Sequence, residues 1–345
     1  MKSLYEISWK VDEPTYRKDE AYSYSTIARF DREGFKGLPT LFDRISTPSL
    51  TFGSMVDTLL TDGENAFNER FAVVDFPKLS DSLILVTKRL NDEFPDALSL
   101  SDIDDFDIAR IGAECGYYAG KSYESTRIRN IRRDCSDYFD ALVCCGSKEV
   151  VSSQDYADCI ASVEALKTSP STEFYFRRDG IDDIERQYQL KFKGEYEGVK
   201  LRCMMDLCLI NHKEKTITPC DLKTSSHLEY EFPLSFIKWR YMIQAQLYYE
   251  LLRQNVVKDN YFKDFKINNY IFIVVNRNSK NPLAWEYKDT KSITNLAYGK
   301  NGEYLCKNWR NIVKELDYYL KENPKIPIGV RETEPNDIID YLNKV

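Results

Sequence analysis

Histidine is scarce in this chain: His212 and His227 are the whole complement in 345 residues, which argues against a His-rich metal site. The nine cysteines are Cys115, Cys135, Cys144, Cys145, Cys159, Cys203, Cys208, Cys220 and Cys306. None forms a C-x-x-C pair, so neither a zinc ribbon nor a clustered iron–sulfur site is expected. An odd count without a secretion signal reads as reduced, mostly buried thiols. No apolar run approaches the roughly 20 residues that span a bilayer, and Met1–Glu6 opens no signal-peptide core. A cytoplasmic protein with no membrane partner is expected. Positive charge is not in excess either. The net charge of −7 argues against a protein that coats nucleic acid electrostatically, while leaving room for a local basic groove. No internal repeat or low-complexity stretch is visible.

What is present is the composition of a globular protein, 43% apolar and 30% charged, long enough for one large domain or two ordinary ones. The spacing predicts a short strand near 5–9 and a helix near 23–33 capped by Ser23 or Ser25. After Pro48, Met55, Val56, Leu59 and Leu60 recur at helical spacing, with Asp57 in their midst. Helices are expected near 80–94, 104–119, 122–145 and 153–167. The pattern then changes. Glu173–Arg178, Ile184–Phe192, Val199–Ile210 and Thr216–Leu222 read as strands, with turns at Gly194/Gly198 and at Asn211–Lys215. A long helix over Leu234–Gln254, strands at Asn269–Asn276 and Leu283–Lys288, a helix over about 291–321 and a short one near 335–343 complete the reading. The class is α/β: a central mixed sheet flanked by helices, with a helical segment inserted before it. The expected division is an N-terminal segment with the first core helix (1–63), a mainly helical insertion (64–170), a core (171–325) and a tail (326–345), forming one compact structural unit.

The chemistry concentrates on two of these strands. Asp206 is the one carboxylate in the apolar run Leu201–Ile210, and Asp221-Leu222-Lys223 closes the next strand. Strand side chains alternate with period two, so Asp221 and Lys223 share a face. An ionised aspartate among such neighbours costs several kcal/mol unless compensated. One compensation is a buried salt bridge from Asp206 to Arg202 or Lys223. The other is a hard divalent cation held by both carboxylates beside an ammonium, which is what metal-assisted phosphodiester hydrolysis requires. The following helix puts Gln244 and Tyr248 at i and i+4 on one face. They can contact a phosphate or order Lys223, or simply belong to an amphipathic helix with a core tyrosine. Glu185, Gln187 and Gln189, on the strand before Asp206, are left open between cleft and surface.

The order Asp206, Asp221-Leu222-Lys223-Thr224-Ser225, Gln244-x-x-x-Tyr248 resembles the PD-(D/E)XK nuclease superfamily, and most of all its RecB-like and exonuclease VIII (RecE-type) branch, frequent in bacteriophages. Leu50–Leu60 is similar to that branch's first helix with its "fG-x-x-x-H-x-l-l" pattern, and Val151–Tyr156 resembles the helix before its core sheet. The similarity covers about residues 22–60 and 150–290. It implies a restriction-endonuclease-like core and a divalent-metal nuclease using Mg²⁺ or Mn²⁺. Asp206, Asp221 and the Leu222 carbonyl would ligate the metal. Lys223 would position water and stabilise phosphoryl charge, with Gln244 and Tyr248 in support. Asp57 stands where the pattern has a histidine; it would complete the shell with a hard oxygen or hold a second ion, or else cap or pair structurally. The four-cysteine iron–sulfur cluster of some relatives is lacking, and no such cluster is expected.

The resemblance implies a DNA exonuclease of phage recombination or replication, acting in the host-cell cytoplasm with a single-strand annealing partner and able to form homo-oligomers. Endonuclease or single-strand nuclease action stays open. So do a non-cleaving DNA- or protein-binding module and a helical interaction protein. For the DNA itself, Arg127, Arg129, Arg132 and Arg133 fall on one predicted helix near Tyr117, Tyr118 and Tyr123, and Lys238, Trp239 and Arg240 lie near the triad. The alternative for the arginines is a solvated face paired with Glu124, Asp134 and Asp137.

Overall fold

The computed structural model describes residues 1–43, 45, 47–177, 183–291 and 307–321. The helices α1 (Glu13–Lys18), α2 (Tyr24–Glu33), α3 (Pro48–Thr61) and α4 (Glu64–Arg70) lead to strand β1 (Phe71–Val74). Then come α5 (Asp81–Glu93), α6 (Asp105–Glu114), α7 (Glu124–Asp134), α8 (Ser136–Cys145), strand β2 (Glu149–Ser152), α9 (Ser153–Thr168) and the single turn α10 (Glu173–Phe176). Strands β3 (Ile184–Tyr196), β4 (Val199–Asn211) and β5 (Thr216–Ser225) precede α11 (Phe232–Trp239) and α12 (Tyr241–Val256). Strands β6 (Lys266–Ile267), β7 (Tyr270–Asn276) and β8 (Leu283–Tyr287) follow, and then α13 (Trp309–Lys321). The chain divides into two compact units, Met1–Arg44 with Ala165–Val345, and Ile45–Glu164. The helix α3, expected with the core, lies in the second of these.

The first unit carries a mixed sheet in the order β3-β4-β5-β7-β8, with β6 beside β5. β3, β4 and β5 run antiparallel, β5 and β7 parallel, and β7 and β8 antiparallel. The parallel step is possible because α11 and α12 return the chain between β5 and β7. This is the α/β class with a central mixed sheet. Its core joins Ile27 and Phe30 of α2, Phe192 and Met205 of the sheet, Leu247 and Leu251 of α12, and Trp309 and Leu316 of α13.

Local chemistry explains several turns. β3 and β4 are joined by Glu197 and Gly198, both at positive φ (47° and 82°), the geometry that two-residue hairpins need to match strand twist. Gly194, expected in that turn, is inside β3. The strand continues through it because α12 crosses there, and a Cβ on Gly194 would lie 2.7 Å from Leu251 Cδ2. The helix expected over Leu234–Gln254 is two helices, broken at Arg240, whose φ of 62° is left-handed. Glu173–Phe176 is a helical turn, not a strand, and residues 4–7 form a 3₁₀ turn in place of the strand near 5–9. The expected helix over 291–321 is described as α13 for Trp309–Lys321 only. Arg178, Cys306 and the predicted helix near 335–343 lie outside the described residues.

The second unit packs α5, α6, α7 and α8 around Leu83, Val86, Leu90, Ile108, Ile111, Ile131 and Phe139. The stretch expected as one helix over 122–145 bends at Cys135 into α7 and α8. A parallel two-stranded pair, β1 with β2, is also present; four-residue strands carry too little alternation to be read from sequence. Thr47 caps α3 by accepting from the Leu50 amide (3.3 Å), with Pro48 in the first turn. Among the described residues no helix is long and apolar enough to cross a membrane. The eight described cysteines are unbonded to one another, and burial pushes the Cys135 thiol up to about 11.

Gly194→Ala tests the close approach of α12 to β3. The added methyl must displace the buried Leu251, at a cost of about 1–3 kcal/mol. Urea unfolding should show that loss; an unchanged midpoint would mean that the helix does not sit against the strand as described.

Candidate functional site

The backbone pairing of β4 with β5 ends at Leu207 opposite Cys220. Beyond it, β4 stays paired with β3 through Val199, while β5 stays paired with β7 through Ser225. The two central strands therefore part company at the positions next to that pair, Asp206 on β4 and Asp221 on β5. Parting strands leave amides without ladder partners, and a buried amide must find an acceptor. The Leu222 amide finds the Asp206 carboxylate, donating to Oδ2 at 2.8 Å. The fork in the sheet is thus closed by a side chain instead of a backbone carbonyl.

Asp221 is 2% exposed. Gln244 Nε2, on α12, donates to its Oδ1 at 2.5 Å, and Lys223 Nζ lies 2.5 Å from its Oδ2. That ammonium is off the direction of a hydrogen bond, so Oδ2 has a charge partner but no hydrogen-bond donor among the described residues. The Lys223 side chain is 17% exposed. Burial alone would lower its pKa, but Asp221, with further contributions from Tyr241 and Asp206, carries it above the ordinary lysine range. The ammonium also lies 4.6 Å from the centre of the Tyr241 ring, a cation–π contact. Two carboxylates and one ammonium leave this group one positive charge short of neutrality. The buried Oδ2 without a donor is where a hard cation fits the donor set. Among the described residues, no group of three or more His, Cys, Asp and Glu side chains is gathered as a ready-made metal cage. A cation here would rely on two carboxylates, a backbone carbonyl and further oxygens from water or substrate.

Arg202, one of the two candidate partners for Asp206, is engaged with the N-terminal segment. Arg202 Nη1 donates to the Asp19 carbonyl, and its guanidinium lies over the Tyr16 ring at 5.0 Å. Lys223 pairs with Asp221, and Asp206 adds to the field that holds its charge. Tyr248, one turn after Gln244, is buried, with its ring edge-on to Tyr24 and Tyr270 at 6.5 and 6.3 Å between centres. Asp57 lies midway along α3 in the second unit, half-buried; its role as a ligand rests on the resemblance, not on this geometry.

Of the three residues left open on β3, Glu185 is not a cleft residue. It accepts from Ser3 Oγ (2.6 Å) and Gln187 Nε2 (2.6 Å), and its Oε2 lies 2.7 Å from His212 Nε2. Gln189 is different. It is missing from the β3–β4 ladder between the pairs Tyr188–Leu207 and Leu190–Met205, opposite Asp206, and its φ is 53°. A non-glycine residue in the left-handed region carries a strain of about 1–3 kcal/mol, and such residues gather at functional sites. Nothing in a glutamine announces that conformation in the sequence.

The arginine cluster divides. Arg127 is buried and donates to the Tyr118 carbonyl. Arg132 holds Asp105 Oδ1 and the carbonyls of Leu100 and Ile103 at 2.7–2.8 Å. Both brace the second unit through these bonds. Arg133 forks onto Asp134, and Arg129 is exposed. Arg240 likewise is engaged, bonding Asp31 Oδ2 at 2.9 Å and the Ile237 carbonyl at 2.7 Å. It fixes the corner from which α12 aims Gln244. Lys238 is exposed.

Removing Lys223 leaves Asp221 buried without its cation. Lys223→Met should cost about 3–5 kcal/mol, and Asp221→Asn made together with it should recover most of that loss. Urea unfolding of the two single variants and the double variant measures the coupling. Additive losses would show that the pair does not act as one.

No protein-family model matches this chain, and no curated protein does. Among solved structures, the chain is similar to the crystal structure named "Putative exonuclease" from Eubacterium rectale, with 13% identity over 98% of this chain and 100% of that one and a TM-score of 0.45. At that score the likeness assigns neither a fold family nor an activity to this chain.

Proposed function

We propose that the protein is a divalent-metal-dependent DNA nuclease that works from DNA ends. The observation that carries this reading is the fork between β4 and β5, where Asp206 and Asp221 follow the last ladder pair and Lys223 stands against the buried Asp221. The order of these residues is the one in which the sequence resembles the PD-(D/E)XK nucleases, and the mixed sheet agrees with the core that resemblance implies.

Asp206, Asp221 and the Leu222 carbonyl would hold Mg²⁺ or Mn²⁺. A bound ion of this kind lowers the pKa of a water and polarises a phosphate. Gln244 holds Asp221 through Oδ1, so a bound ion would share Oδ2 with the Lys223 ammonium. The ammonium of Lys223, with its pKa raised, stays charged through the neutral range. It therefore serves as an electrostatic partner for phosphoryl oxygens and not as a proton acceptor. Tyr248, one turn after Gln244, packs edge-on against Tyr270 of β7 and so holds α12 against the sheet. The preference for ends, and use in phage recombination beside a strand-annealing protein, follow from the resemblance alone.

The test is incubation with end-labelled linear DNA and closed circular DNA in Mg²⁺, Mn²⁺ or EDTA. Linear DNA should be shortened from its ends with either metal, circles should persist, and EDTA should stop the reaction. Lys223→Ala should lose about 10²–10³-fold in rate, the scale of one preorganised electrostatic group. Cleavage by that variant at the parent's rate would end the assignment. Cutting of circles would keep the chemistry and replace end-dependence by endonuclease action.

A further inference from the structure

Trp239 closes α11 with its indole 41% exposed. Two cations lie over the ring: Arg32 Cζ is 5.3 Å and Lys238 Nζ 4.9 Å from its centre. Neither has a carboxylate within ion-pair distance among the described residues, whereas neighbouring Arg240 and Arg29 are paired with Asp31 and Glu33. In a chain of net charge −7, an exposed indole beside two uncompensated cations is a local exception. Leu234, one turn before Lys238, is exposed as well and extends the apolar surface.

The position of this shelf is fixed, and it leads to the carboxylate site. The Tyr24 hydroxyl donates to the Trp239 carbonyl at 2.6 Å. The Tyr24 ring packs against Tyr241 with 6.2 Å between centres, and Tyr241 in turn receives the Lys223 ammonium. The charge of Arg32 also reaches the Tyr241 hydroxyl. The residues run Trp239, Arg32, Tyr241, Lys223, Asp221 without leaving the first unit.

We infer that Trp239, Arg32 and Lys238 form a stacking shelf for an unpaired base of a DNA strand whose backbone continues toward Lys223. The chemistry selects this occupant. An indole face stacks on any base, and flanking cations meet the phosphates on either side. A base inside a duplex has no free face to offer, so the shelf takes single strand or a frayed end. The inference rests on the nuclease reading for where the strand is going, but binding at the shelf needs neither metal nor cleavage.

The experiment is therefore done in EDTA. A fluorescein-labelled 20-mer of thymidylate and a blunt duplex of the same length are titrated with the full chain at low salt, followed by anisotropy and by tryptophan quenching. The parent should bind the single strand with quenching. Trp239→Ala should bind it about 10-fold more weakly, Trp239→Phe should keep most of the affinity, and blunt duplex binding should change less than 2-fold in either variant. Arg32→Gln with Lys238→Gln should flatten the salt dependence of single-strand binding. Melting curves confirm that the variants are folded. Single-strand binding by Trp239→Ala at parental affinity, equal losses on single strand and duplex, or no single-strand binding by the parent would each overturn the inference. A parent that binds but never cleaves in Mg²⁺ leaves the shelf standing and removes the nuclease reading. Cleavage with a silent Trp239→Ala does the reverse.

Discussion

A carboxylate at position 221 sits almost out of reach of water, and the surroundings answer it from two directions. Gln244 reaches down from α12 to one oxygen, and Lys223 comes along the same strand to the other. An ionised group so placed is tolerable only with such compensation. Each partner in turn imposes a condition on the fold. Gln244 arrives only if α12 starts at the right angle, which the left-handed Arg240 sets through Asp31 and the end of α11. It stays only if α12 can press on β3, which the missing side chain at Gly194 permits. Lys223 shares the face of Asp221 because both lie on one strand.

The second carboxylate is bound to this arrangement by the parting of two strands. Once β4 and β5 diverge, the Leu222 amide needs an acceptor, and Asp206 provides it. One oxygen of Asp206 is thereby committed to structure, and one oxygen of Asp221 is committed to Gln244. The other oxygen of Asp221 faces Lys223, and the two carboxylates together still carry one negative charge more than that ammonium offsets. Stability and proposed chemistry share these atoms, so substitutions here are expected to affect both.

The strands that carry the site were legible because their signal is local. Asp206 interrupts an apolar run, and Asp221, Leu222 and Lys223 alternate at the end of the next one. The hairpin follows from its turn residues, and the strand at 270–276 from its apolar run, with 283–287 as its pairing neighbour. What escaped depends on partners distant in sequence. The break at Arg240 has no glycine or proline to mark it, and the periodicity runs through it; its cause is an aspartate 209 positions away. Gly194 looks like a turn residue, yet it serves the approach of a helix. Phe174, Tyr175 and Phe176 alternate with nothing polar to decide between strand and helix, and they form a helical turn. The basic run in α7 reads as a nucleic-acid surface, but Arg127 and Arg132 point at carbonyls of their own unit. The left-handed Gln189 has no compositional trace at all.

The central claim is that Asp206 and Asp221, at the fork of the sheet, form a site for a hard divalent cation. Titration of the full chain with Mn²⁺, followed by the electron paramagnetic resonance of the free ion, measures it directly. The account predicts binding by the parent and a loss of about 10-fold or more in affinity for Asp206→Asn and for Asp221→Asn, since each removes an anionic oxygen donor. Mn²⁺ binding by both variants as tight as that of the parent, or none by the parent, would contradict it.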